Sequence, residues 1–121
     1  MVRLANIPFG VTSIGSNAFA GCNTMTSITL PDTLKTINYN AFANCHALTD
    51  ITLPYSVATL GSNTFKNCTA LENVKFQSLT ATIKIGNSCF LGCANLKNVV
   101  FPMNATMGVK SFGYKTTSTK Y

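Results

Sequence analysis

Apolar residues recur along this chain at a spacing much longer than any helix or strand period. Phe19, Phe42, Phe65 and Phe90 each stand three residues before Cys22, Cys45, Cys68 and Cys93, and Met25, Leu48, Leu71 and Leu96 stand three residues after them. The first two intervals are 23 residues and the third is 25. An alternating apolar pair follows in every unit: Ile28 and Leu30, Ile51 and Leu53, Val74 and Phe76, Val99 and Phe101. Alternation places both members on one side of a short strand and the residue between them on the other, which predicts a half-buried strand. Pro31, Pro54 and Pro102 come directly after it and lack the N–H that would continue the ladder. Pro8 shares this frame, and Gln77 stands where a further proline would fall. A second short extended piece follows, such as Leu34 to Ile37. The segment Asn40-Ala-Phe42-Ala-Asn44-Cys45 then combines small residues and asparagines, which predicts a tight helical turn back to the next strand.

One such unit cannot cover its own apolar face, so the coils must stack, strand upon strand, into a continuous core with like residues piled in ladders. The predicted fold is a repeat solenoid forming one domain over residues 1–121. Its repeats run over about 8–30, 31–53, 54–76 and 77–101, with partial units at 2–7 and 102–114 and a basic tail at 115–121. Val2, Ala5, Ile7 and Pro8 fall on the positions of Met25, Ile28, Leu30 and Pro31, so the chain opens inside the strand of a preceding coil. At the other end, Pro102 to Phe112 opens another unit with Met107 at the isoleucine position. Such a chain reads as a piece of a longer array, or as an array whose ends are covered by partner chains. Residues 77–88 hold two extra residues, predicted to bulge without breaking the stack. Lys110 to Tyr121, with Phe112 and Tyr114 alternating, is predicted to form a last edge strand whose lysines discourage further strand addition.

Composition narrows the function classes. With 46% hydrophobic and 10% charged residues in 121, the chain is too apolar and too weakly charged for disorder. The net charge of +6 lies wholly beyond residue 60, where seven lysines face Glu72 alone. Arginine occurs once and the lysines are widely spaced until the tail, which speaks against nucleic acid and for solvating charge. No run approaches 18 apolar residues, so no membrane span is predicted. The first ten residues lack the apolar core of a signal peptide. The five cysteines are an odd count, against a fully paired disulfide framework. Four of them form one ladder and read as buried small hydrophobes. Cys89, four residues before Cys93, takes the place of Ala18, Ala41 and Thr64, and free thiols are expected throughout.

Chemistry finds little to work with. His46 is the single histidine, so no metal-ligand set is spaced along the chain, and neither a phosphate-loop nor a dinucleotide glycine motif is present. No cofactor is implied. Asp32, Asp50 and Glu72 lie in three successive units at dissimilar positions, poor placing for a catalytic carboxylate pair. Cys45 faces the core while His46 follows it onto the turn, so sequence neighbours do not make a dyad. The chain reads as a non-enzyme.

The strand positions facing away from the core are the candidate binding residues. They are Thr26, Ser27 and Thr29; Thr49, Asp50 and Thr52; Glu72, Asn73 and Lys75; and Lys97, Asn98 and Val100. They form either a contact face or a merely solvated one. An ice-binding hydroxyl array is interrupted, because Thr29 and Thr52 give way to Lys75 and Val100. Exposed aromatics for carbohydrate would have to come from Tyr39, Tyr55, Tyr114 and Tyr121, which share no frame. Asn67-Cys-Thr69 and Asn104-Ala-Thr106 match the N-glycosylation pattern.

Leu48-x-x-Ile51-x-Leu53-Pro54 with Asn40-Ala-Phe42-x-x-Cys45, at a period of 23, resembles the BspA-like, or Treponema pallidum-type, leucine-rich repeats. The resemblance covers nearly all of residues 2–112. Its departures are Thr24-Met25 for the usual Ala-Leu pair, Gln77 for a proline, and the insertion after it. It implies a right-handed superhelix with a parallel β-sheet on the concave face and short strands or helical turns on the other sides. It also implies a surface or secreted protein engaged in adhesion to host proteins or cells, binding a protein ligand and making end-to-end contact with further repeats or partner chains. The alternative is a structural spacer or assembly domain in a multi-chain complex. The class carries no general catalytic motif.

Overall fold

The alternating apolar pairs fold into one short strand per coil, and a second short strand follows each coil's proline position. The computed structural model describes residues 3–112. In chain order the strands are β1 (Leu4–Asn6), β2 (Ser13–Ile14), β3 (Ser27–Thr29), β4 (Thr36–Ile37), β5 (Asp50–Leu53), β6 (Thr59–Leu60), β7 (Asn73–Phe76), β8 (Thr82–Ile85), β9 (Asn98–Val99) and β10 (Asn104–Met107). Every pairing is parallel and joins a strand to its counterpart one coil away. The result is a parallel-strand solenoid.

The two strand rows differ in continuity. The even strands form one five-stranded sheet in the order β2-β4-β6-β8-β10. The odd strands, carrying the stronger apolar alternation, split into β1-β3 and β5-β7-β9. Between β3 and β5 the Thr49 N–H still donates to the Thr26 carbonyl at 3.2 Å, but no strand ladder forms. In the even sheet the register stacks Ile14, Ile37, Leu60, Ile85 and Met107, which bears out the place assigned to Met107. In the odd trio Ile51, Val74 and Val99 line up inward. Between the rows run the phenylalanines, stacked ring on ring at 5.4, 5.5 and 5.6 Å from Phe19 to Phe90.

The segment predicted as a helical turn is a run of overlapping β-turns, and the described residues contain no helix. Ala41, Ala43 and Cys45 donate their N–H groups three residues back, to Asn38, Asn40 and Phe42. The N–H groups between them leave the coil: Asn40, Phe42 and Asn44 donate to Ser62, Thr64 and Lys66 of the next one. A helix would keep every donor to itself, so this alternation excludes one. It also requires left-handed backbone twice per turn, at Asn40 (φ 59°) and Asn44 (φ 62°). Asn17 and Gly21, Asn63 and Asn67, and Ser88 and Gly92 repeat the device. Asparagine and glycine tolerate this region best, which explains their recurrence here.

The cysteines add a bond to their packing. The thiols of Cys45, Cys68 and Cys93 donate to the carbonyls of Phe19, Phe42 and Phe65, each at 3.1 Å. All five cysteines are free thiols; Cys45, Cys68 and Cys89 are buried, whereas Cys22 and Cys93 are half-buried. The insertion after Gln77 bulges as expected. Ser78 Oγ accepts the Ala81 N–H at 3.1 Å, Met103 donates to the Leu79 carbonyl at 2.9 Å, and β8 stays paired on both sides.

At the far end, Lys110–Phe112 form a turn and not the beginning of an edge strand. Phe112 stacks on Phe90 at 5.7 Å and 15°, so it is the next ring of the core column. The rest of the predicted edge strand and basic tail, like Val2, lies outside the described residues.

Candidate binding face

Three outward rows cross the odd strands. The first, along the strand entries, is Thr26, Thr49, Glu72 and Lys97; the second is Ser27, Asp50, Asn73 and Asn98; the third is Thr29, Thr52, Lys75 and Val100. The strand register sets Asp50, Asn73 and Asn98 side by side and Thr52 beside Lys75. All are exposed except Ser27, Thr49, Glu72 and Asn73, which are half-buried. The register thus brings Asp50, Asn73 and Asn98, and Thr52 with Lys75, onto one face.

The second row is a polar ladder. Asn98 Nδ2 donates to Asn73 Oδ1 at 2.6 Å, and Asn73 Nδ2 donates to Asp50 Oδ1 at 2.6 Å. The Thr49 hydroxyl closes it by donating to Asp50 Oδ2 at 2.8 Å. Each amide points the same way along the stack, so the row is held in one orientation and ends on a carboxylate. In the first row Lys97 Nζ lies 3.8 Å from Glu72 Oε1, an exposed pair that adds little stability. The Thr26 hydroxyl donates to the Arg3 carbonyl at 3.0 Å and is tied into the coil before it.

Where β3 and β5 part, the face opens into a groove of about 230 Å³ lined by Ile28, Thr29, Leu30, Thr52, Pro54 and Gln77. Sequence reasoning placed Thr29 and Thr52 here but missed the groove, because both strands carry the same alternation and nothing in it marks the break.

The candidate catalytic residues gain nothing from the fold. Cys45 is buried with its thiol on the Phe19 carbonyl while His46 is exposed, so they do not converge. The described residues hold no group of three His, Cys, Asp or Glu able to bind a metal ion. No helix of the described residues is long and apolar enough to cross a membrane. Of the glycosylation candidates, Asn67 is half-buried and donates to Asn44 Oδ1 at 3.2 Å, and Asn104 is exposed in β10.

The BspA type leucine rich repeat region matches residues 2–119 in six copies. The chain belongs to this family. Among solved structures it is similar to the pneumococcal vaccine antigen PcpA, with a TM-score of 0.82 at 24% identity, over 98% of this chain and 29% of that one. It is also similar to a leucine-rich repeat protein from Bacteroides ovatus (TM-score 0.62, 26% identity, 92% of this chain and 34% of that one). The leucine-rich repeat protein of T. pallidum matches with a TM-score of 0.64 at 26% identity, over 93% of this chain and 63% of that one. The chain thus spans less than two thirds of each of these proteins. The comparison with curated proteins returns no significant match. Family and neighbours agree on a leucine-rich-repeat solenoid, a scaffold class consistent with a protein-interaction module.

Proposed function

We propose that this chain is a non-enzymatic protein-binding module of a larger cell-surface or secreted leucine-rich-repeat protein, holding a protein ligand on the face of the odd strands. The observation that carries this reading is the Asp50–Asn73–Asn98 ladder. Its side chains are already fixed by one another at 2.6 Å, so a partner binding there has little side-chain freedom to remove. Lys75 and the groove beside Thr52 add a charge and a recess of mixed polar and apolar lining to the same face. Fixed polar groups around a recess suit an extended protein segment, whose backbone supplies both donors and acceptors.

The test compares two faces. Alanine at Asn73, Lys75 and Asn98 is set against alanine at Thr36, Thr59 and Lys84, which occupy the outward register of the even sheet. Both variants are assayed on immobilised extracellular-matrix proteins and on whole cells. The first triple is expected to lose capture at least tenfold with the second unchanged. Equal loss in both, or capture unaffected by the first, removes the assignment to this face.

A further inference from the structure

We propose that Cys22 and Cys45 form an oxidation site at which a peroxide closes a disulfide between two neighbouring coils. The geometry turns on one oxygen. The Cys22 N–H and the Cys45 thiol both donate to the carbonyl of Phe19, each at 3.1 Å. The Cys45 sulfur therefore reaches back one coil and lies against the backbone of Cys22. The coils are in step here, because Gly21 donates to the Ala43 carbonyl at 2.8 Å and the Phe19 and Phe42 rings stack at 5.4 Å within 4° of parallel. Residues matched across hydrogen-bonded parallel segments stand about 4.8 Å apart. That lies within the Cα separation of about 4.4–6.8 Å that a disulfide spans.

The same convergence recurs on the Phe42 and Phe65 carbonyls, so the column holds three such pairs. Access singles out the first. Cys45 and Cys68 are fully enclosed, whereas Cys22 and Cys93 are the half-buried ends of the column. Burial pushes the Cys93 thiol up to about 12, which leaves it almost no thiolate. Burial, with Cys45 nearby, raises Cys22 less. Cys45, whose sulfur lies against the Cys22 backbone, supplies the second nucleophile.

The chemistry needs two thiols and one peroxide. The Cys22 thiolate attacks a peroxide oxygen; the S–O bond forms, the O–O bond breaks, and a sulfenic acid remains. The second oxygen leaves as hydroxide and takes up the proton lost by Cys22 to become water. The Cys45 sulfur then attacks the Cys22 sulfur. The S–S bond forms, the S–O bond breaks, and hydroxide leaves with the Cys45 proton as water. With hydrogen peroxide the sum is one disulfide and two waters.

Trypsin cuts after Arg3, Lys35 and Lys66, so Cys22 lies on the peptide 4–35 and Cys45 on 36–66. The whole chain is treated with hydrogen peroxide at mildly alkaline pH, digested without reductant and mapped by mass spectrometry. Peptides 4–35 and 36–66 are expected joined with the loss of two hydrogens and separated by dithiothreitol, and the oxidised protein is expected to melt about 5 °C or more higher. Cys22→Ser is expected to slow cross-linking anywhere in the column at least tenfold. Sulfinic or sulfonic acid on Cys22 without joined peptides overturns the proposal, as does cross-linking of Cys45 to Cys68 at the wild-type rate in Cys22→Ser. Should that variant fail to fold by circular dichroism, the wild-type peptide map decides alone.

Discussion

The first coil and the coils behind it are written in the same frame, yet they bury it differently. Phe42, Phe65 and Phe90 are at most 1% exposed, while Phe19 at the same position is half-buried. Cys45 and Cys68 are enclosed and Cys22 is half-open. A Cβ built on Gly86 would come within 2.5 Å of the Ser62 nitrogen, whereas one on Gly15, at the equivalent corner, meets nothing within 4 Å. In a stacked array a residue's contribution comes from the coil on each side of it, so identical residues are not energetically equivalent.

The sharpest way to break this comparison is to empty the phenylalanine column at two heights. Phe65→Ala is expected to cost about 3–5 kcal/mol, the usual range for a fully buried ring. Phe19→Ala should cost less than half as much, because its ring is half-buried and, among the described residues, stacks on Phe42 alone. Urea denaturation of the two variants measures the difference, and equal losses would refute it.

The glycine corner should follow with a smaller effect. Gly86→Ala presses a methyl against the backbone of the preceding coil and is expected to destabilise by about 1–3 kcal/mol. Gly15→Ala meets open space at a negative φ, and is expected to be neutral or stabilising by up to about 1 kcal/mol. Thermal melts of both variants give the sign directly.

The thiols supply the smallest contrast, and it depends on pH. Burial pushes Cys89 up to about 12 from the ordinary 9.0. Unfolded chains ionise this thiol at its ordinary value while the folded chain keeps it neutral, so the unfolded state releases protons first. The contribution is full below pH 9.0 and is lost as the pH rises toward about 12. Across that window the urea midpoint should fall less in Cys89→Ala than in the wild type. In Cys22→Ser the fall should match the wild type closely.

Much of this architecture could be read from residue spacing alone, because a stacked coil repeats its physical constraints at fixed intervals. The strands follow from pairs such as Ile51 and Leu53, and their outward residues from the same alternation, so spacing alone sets Asp50, Asn73 and Lys75 on one face. The turns did not follow. Small residues and asparagines suit a helical turn and a left-handed β-turn alike, and the positive φ at Asn40 and Asn44 separates them. Its sequence signal was present as asparagine or glycine recurring four apart, at 17 and 21, 40 and 44, and 63 and 67. Phe112 alternates with Tyr114 as in an edge strand, and that alternation hides its place above Phe90. The groove was illegible for a different reason: it arises where two strands with the same pattern fail to pair, and pairing belongs to neither strand.

That failure has a mechanical consequence. The hydrogen bonds that join coils run along the stack, so a pull on the two ends loads the coil boundaries in series. The boundary between β3 and β5 is fastened by the turn column and by the β2–β4 ladder, but on its third side by little more than the Thr49–Thr26 bond. Under tension this boundary is expected to open lopsidedly, bending about the phenylalanine side and widening the recess between Thr29 and Thr52.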